Sequence, residues 1–113
     1  MIPRTISVVV PLKDEESNVE PLVAELTQVM TQLRDPYELI LVDDGSTDGT
    51  FRALAREQAA DPRVRVIRFT RNFGQTAAFA AGFRHAKGSL IVTCAGDLQN
   101  DPADIPRLLA LAR

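Results

Sequence analysis

The sequence predicts a three-layer α/β/α domain built on a mainly parallel sheet, and three observations carry that expectation. Short aliphatic or β-branched runs begin at Ile6, Tyr37, Val64 and Ser89, each separated from the next by a stretch of helical periodicity. The connections are short enough to demand right-handed crossovers between neighbouring parallel strands. All four runs lead into polar loops, at residues 13–16, 43–46, 71–75 and 96–101, which a parallel sheet gathers along one edge.

The elements follow in order. Ile6 to Val10 is a β-branched run closed by Pro11, expected as a buried strand that the proline stops. Ser17 and Glu20 have capping-box spacing, and Val19, Leu22, Val23, Leu26, Val29, Met30 and Leu33 then recur at helical period until Asp35-Pro36 breaks the helix. Tyr37 to Val42 forms the second strand. Thr47 and Asp48 cap a helix carrying Phe51, Leu54 and Ala55, which Asp61-Pro62 ends. Val64 to Phe69 alternates apolar and charged residues, as a third strand with one wetter face does. Gln75 to Ala86 is alanine-rich and helical, with Gly82 for close packing and Gly88 placed for a left-handed stop. Ser89 to Thr93 is the fourth strand, and Asp101-Pro102 opens a last helix through Leu108, Leu109 and Leu111.

Bulk properties bound the function. At 113 residues the chain is one domain, and a net charge of −2 gives no electrostatic basis for binding nucleic acid. The single cysteine, Cys94, lies in an apolar strand and is expected to be a buried, inert thiol. No apolar stretch approaches the ~20 residues that span a bilayer, and the amino terminus lacks a signal-peptide core, so the chain as given is expected to be soluble.

The loop chemistry suits a nucleotide sugar, which presents a base, a ribose and a charged diphosphate. Asp43 and Glu15 can accept hydrogen bonds from base and ribose, Arg71 can pair with a phosphate, and Asp97 and Gln99 can bind Mg²⁺ or Mn²⁺ through oxygen. Each residue also has a plainer reading. Asp44, Ser46, Thr47 and Asp48 can serve only to cap the second helix and shape its turn, Glu15 can be a solvated first-turn acid, and Gln99 can serve its own backbone. His85 near a helix end is explained by charge complementarity and receives no catalytic role.

Four segments together carry a family resemblance: Val9-Val10-Pro11-Leu12-Lys13-Asp14-Glu15-Glu16, Leu41-Val42-Asp43-Asp44-Gly45-Ser46-Thr47-Asp48, Arg71-Asn72-Phe73-Gly74-Gln75 and Asp97-Leu98-Gln99-Asn100-Asp101-Pro102. In their order and rough spacing the chain resembles the family 2 glycosyltransferases of GT-A fold, and most closely the polyprenyl- and dolichyl-phosphate sugar transferase branch. The resemblance implies Pro11, Glu15, Asp43 and Asp44 around the donor nucleotide, Arg71 near base or diphosphate, Asp97 and Gln99 facing the metal, and Asp97 as the catalytic residue. It further implies transfer from a UDP- or GDP-sugar to a lipid phosphate, at the cytoplasmic face of the membrane in a complete protein.

Two departures qualify that reading. Ala95 stands where the family's Asp-x-Asp motif has its first aspartate, which predicts weaker metal binding and keeps open a catalytically impaired, nucleotide-binding alternative. The resemblance spans nearly all of residues 1–113 but only the N-terminal, donor-binding half of the family's catalytic domain, with the acceptor half beyond it. Asp14 also replaces the usual asparagine before Glu15. A sheet built for further strands leaves an open edge, so self-association of the isolated chain is expected. A phosphoacceptor signalling domain is the competing class, but it needs an aspartate ending the third strand, where this chain has Thr70-Arg71.

Overall fold

A computed structural model describes residues 4–94 of the chain. They form β1 (Ile6–Leu12), a single 3₁₀ turn (Glu16–Asn18), α1 (Val19–Leu33), β2 (Tyr37–Asp43), α2 (Thr50–Ala60), β3 (Val64–Arg68), α3 (Gln75–His85) and β4 (Leu90–Thr93). The helix expected after Asp101-Pro102 lies outside the described residues. Every strand pairing is parallel, in the order β3-β2-β1-β4. The chain steps outward from β1 to β3, then returns through α3 to place β4 on the far side of β1. That reversal puts α1 and α2 on one face and α3 on the other, as right-handed crossovers require.

The strand parity of β1 explains both cores. Ile6, Val8, Val10 and Leu12 point into a cluster with Leu22, Leu26 and Met30 of α1 and Leu54 of α2, whereas Val9 joins Ile40, Val42 and Ala78 beneath α3. All seven residues of β1 are buried, as expected for the centre of a parallel sheet covered on both faces. Gly82 lets α3 settle on that strand: a Cβ there would overlap the Val9 Cγ1 atom.

Ser7 is the buried polar exception in β1. Its hydroxyl donates to Glu38 Oε2 at 2.7 Å and accepts the Gly88 N–H at 2.8 Å. Glu38 also takes the Lys87 N–H at 2.7 Å and the Arg65 guanidinium at 2.7 Å, and that same Arg65 nitrogen donates to the His85 carbonyl. One carboxylate thus joins β1, β2, β3 and the turn after α3 at the amino-terminal edge of the sheet.

Several local expectations are corrected. Pro11 does not stop β1, which runs on to Leu12. Odd-numbered β1 residues bond toward β4, as in Cys94 N–H to the Val9 carbonyl, so the missing N–H of Pro11 is on the β4 side, past Val9 and Thr93, the last pair among the described residues. No Ser17–Glu20 capping box forms: α1 starts at Val19 after the 3₁₀ turn, and the Asn18 side chain at its N-cap turns to Glu15 instead. The α2 helix begins at Thr50, with Gly49 at the N-cap. Asp48 still caps it by accepting the Thr50 N–H at 2.9 Å, while Thr47 bonds Asp14. Gly88 is no left-handed stop, because α3 ends at His85 with Ala86 extended. It is a close-approach glycine, where a Cβ would lie 2.6 Å from Ser7 Oγ.

Two outcomes test this packing. Gly82→Ala overpacks the α3–β1 contact and is expected to cost about 1–3 kcal/mol, read from urea midpoints. Burial raises the Glu38 pKa, but the bonds from Lys87, Ser7 and Arg65 outweigh it and hold the group below its ordinary 4.5. A depressed carboxylate stabilises fully above its unfolded pKa and loses that contribution as pH falls through the folded value. Between about pH 6 and about pH 3 the urea midpoint of the wild type is therefore expected to fall more steeply than that of Glu38→Gln.

Candidate functional site at the carboxyl edge of the sheet

The carboxyl edge presents the loops after β1, β2 and β3, and the register aligns them: Leu12, Asp43 and Arg68 are neighbours across three strands. Past Asp44 and Phe69, whose N–H groups still bond the Leu12 and Asp43 carbonyls, backbone donors of these loops turn to side-chain oxygens. Asp14 adopts a left-handed conformation (φ 53°), donates its N–H to Ser46 Oγ at 2.9 Å and accepts the Thr47 N–H at 2.8 Å. Its carboxylate therefore suits the position where asparagine is usual. Glu15 N–H donates to Thr50 Oγ1 at 2.9 Å, and Glu16 Oε1 accepts the Gly49 N–H at 2.9 Å.

The β2 loop is the centre of this lacing. Asp43 is 1% exposed, and its Oδ1 accepts the Ser46 N–H at 3.0 Å. Its carbonyl takes the Phe69 N–H at 2.8 Å. Asp44, 5% exposed, accepts the Phe73 N–H at 2.8 Å on one oxygen and the Gly74 N–H at 3.0 Å on the other. Gly45 has φ 69°, and a Cβ there would overlap the Arg71 carbonyl carbon and the Asn72 nitrogen. A glycine is required on both counts.

After β3, the exposed Arg71 guanidinium lies 4.7 Å from the centre of the Phe73 ring, which meets Phe69 edge-on at 5.6 Å. Pro11 lies opposite Val42 on the buried side of the same edge. Glu15 is half-buried, with Oε2 accepting from Asn18 Nδ2 at 2.6 Å. The structure thus brings Pro11, Glu15, Asp43, Asp44 and Arg71 to the carboxyl edge of the sheet, on the loops after β1, β2 and β3. Asp97 and Gln99 lie outside the described residues.

Sequence reasoning missed Arg68, whose guanidinium stacks 4.2 Å over the Phe51 ring of α2 at the end of β3. Only the register, which sets Arg68 beside Asp43, reveals that position. It also missed a cleft of about 750 Å³ between α1 and α2, bordered by Glu16, Glu20, Asp48, Arg52 and Arg56. Asp48 on its wall has a lowered pKa, chiefly through the hydrogen bond from the Thr50 hydroxyl, with burial opposing and the Thr50 and Glu16 N–H groups assisting. Among the described residues, no three His, Cys, Asp or Glu side chains are grouped to hold a metal ion, and no helix is long and apolar enough to cross a membrane.

Among the described residues, an open parallel α/β sheet with helices on both faces and polar loops at its carboxyl edge defines the class of doubly wound α/β domains. Within that class, the chain belongs to glycosyl transferase family 2, whose model matches residues 7–113. It is 48% identical over 109 residues to the dodecaprenyl-phosphate galacturonate synthase of Rhizobium johnstonii, covering 93% of this chain and 31% of that protein. It is 46% identical over 110 residues to the undecaprenyl-phosphate 4-deoxy-4-formamido-L-arabinose transferase of Proteus mirabilis, covering 95% of this chain and 33% of that one. The chain spans about a third of the length of these relatives. A mannosyltransferase of Pyrobaculum calidifontis, solved with GDP-Man and Mn²⁺, superimposes with a TM-score of 0.75 at 27% identity, over 86% of this chain and 28% of its own. The glucosyl-3-phosphoglycerate synthase of Mycobacterium tuberculosis, solved with UDP, gives 0.74 at 27% identity, over 95% and 39%. The fold is therefore the GT-A fold, as expected.

Asp48→Ala removes the α2 cap and the acceptor of the Glu16 N–H. It is expected to destabilise the chain by about 0.5–2 kcal/mol in urea unfolding.

Proposed function

We propose that this chain is the N-terminal, donor-binding part of a glycosyltransferase that moves a sugar from a UDP- or GDP-sugar to a polyprenyl phosphate. The observation that carries this reading is the meeting of Glu15, Asp43 and Arg71 on the carboxyl edge of the sheet, in a chain 48% identical to a dodecaprenyl-phosphate galacturonate synthase. Asp43 Oδ1 accepts the Ser46 N–H, and in this reading the other oxygen of the carboxylate accepts a ring N–H or a ribose hydroxyl. Glu15 lies on the adjoining loop for the nucleoside, Pro11 borders it, and Arg71 offers a planar, permanently charged group to the diphosphate.

The rim carboxylates Asp14, Asp44 and Asp48 already accept backbone N–H groups, so holding a divalent cation falls to Asp97 and Gln99, both oxygen donors of the type hard cations take. Bound there, Mg²⁺ or Mn²⁺ supplies Lewis-acid stabilisation of charge developing on the leaving diphosphate. Asp97 is the catalytic residue in this reading. An acceptor phosphate oxygen, anionic at neutral pH, attacks the anomeric carbon as the bond to the diphosphate oxygen breaks, and no protein base is needed. The acceptor side belongs to the remaining length of the relatives, and the reaction is placed at the inner membrane face, where nucleotide sugars meet lipid phosphates.

Thermal unfolding with nucleotide and metal tests the reading. UDP or GDP at about a hundredfold its Kd, with Mn²⁺, is expected to stabilise the chain by about 2.7 kcal/mol, and Asp43→Ala to abolish the effect. Absence of any shift with either nucleotide, with and without metal, would sink it. Asp97→Asn is expected to leave nucleoside binding intact while removing the metal dependence of diphosphate binding.

A further inference from the structure

Asp44 is the least accounted-for charge in the described rim. It is buried and sits one residue beyond the strand end, next to Asp43, whose Oδ1 accepts the Ser46 N–H of its own loop. Both Asp44 oxygens instead point across to the β3 loop, accepting the Phe73 N–H at 2.8 Å and, at 3.0 Å, the Gly74 N–H, which is shared with Asn72 Oδ1 at 2.8 Å. Bonds from N–H groups to an ionised carboxylate are about twice as strong as neutral ones, so this pair fixes the main chain of the loop. Gly45 packs its bare Cα against the Arg71 carbonyl and the Asn72 nitrogen, closing the same contact from the next residue.

The held segment has one functional group to present. Phe73 is 52% exposed, which is unexplained by core packing, yet its ring is braced edge-on by Phe69 and forms the platform on which the Arg71 guanidinium rests at 4.7 Å. A flexible arginine is thereby given a rigid support, and the support hangs from Asp44 through the Phe73 backbone.

We propose that Asp44 is a positioning residue for the donor diphosphate: by clamping the Phe73 and Gly74 amides it sets the Phe73 platform, and so the place of Arg71, without touching the ligand. The inference rests on the donor-binding reading above and replaces the direct nucleotide contact that the sequence resemblance implied for Asp44. It also assigns a reason for a phenylalanine on the surface and for the pairing of two adjacent aspartates, one turned to ligand and one to scaffold.

The test compares UDP and GDP, each with Mn²⁺, against uridine and guanosine in calorimetric titrations of the full chain. Asp44→Asn, which puts an amide NH₂ where an acceptor is needed, is expected to weaken diphosphate binding about tenfold while leaving the nucleoside unchanged. Arg71→Ala is expected to do the same, and the double variant to be no weaker than Arg71→Ala alone, since both act through one guanidinium. Additive losses, equal loss of nucleoside and diphosphate, or no loss would each overturn the proposal. A wild type that binds neither nucleotide overturns the donor reading itself and this inference with it. Hydrogen exchange needs no variant to fold: the Phe73 and Gly74 amides are expected to be protected in the nucleotide-free wild type. Rapid exchange there, with protection only on ligand binding, would show that no clamp exists beforehand.

Discussion

A parallel sheet leaves unpaired N–H groups wherever its strands end, and in this molecule carboxylates and hydroxyls on neighbouring loops accept them. Asp14 and Ser46 join the first two loops, Asp44 joins the second to the third, and Asp48 and Thr50 fasten the first to the start of α2. Each bond is local chemistry between a short acid and a main-chain amide, and together they turn three separate loops into one continuous shelf. The proposed donor site depends on that shelf, because side chains from separate loops can act on one ligand only at a fixed separation.

The opposite edge is organised by the same principle with a different centre. Glu38 accepts from Ser7, Lys87 and Arg65, so that a single half-buried acid ties three strands and the α3–β4 turn. Removing one donor leaves the others with a charge that burial penalises, which makes the network cooperative. The sheet is thus held at one end by a structural carboxylate and offers acids to solvent at the other. Its middle is aliphatic, with Val8, Val9 and Val10 wholly enclosed.

Much of this was legible in the sequence. Strand and helix order followed from the spacing of Val8–Val10, Leu39–Val42 and Val64–Val66 against the helical period of Leu22, Leu26 and Met30, since apolar periodicity is imposed by the same burial that forms the core. The close-packing role of Gly82 was legible too, an alanine-rich helix being one that lies near its sheet. Capping was not. Ser17 has the spacing of a capping box, yet the Glu15 and Glu16 amides find partners on α2's first turn, a choice that depends on which loops become neighbours. Gly88 looked like a helix stop because the sequence cannot display its close contact with Ser7, eighty-one positions away. Likewise Asp43 and Asp44 are chemically identical in the sequence. That Asp43 bonds within its own loop while Asp44 reaches the β3 loop appears only when the two loops are laid side by side.

Pro11 carries a final implication. Its ring nitrogen faces the gap between β1 and β4, so the next rung of that ladder has no donor on the β1 side. Parallel neighbours are joined by evenly spaced N–H donors, and at this rung the covalent ring of Pro11 removes the one that β1 would supply. A residue with a free amide at position 11 would place a donor on that side of β1 where the proline has none.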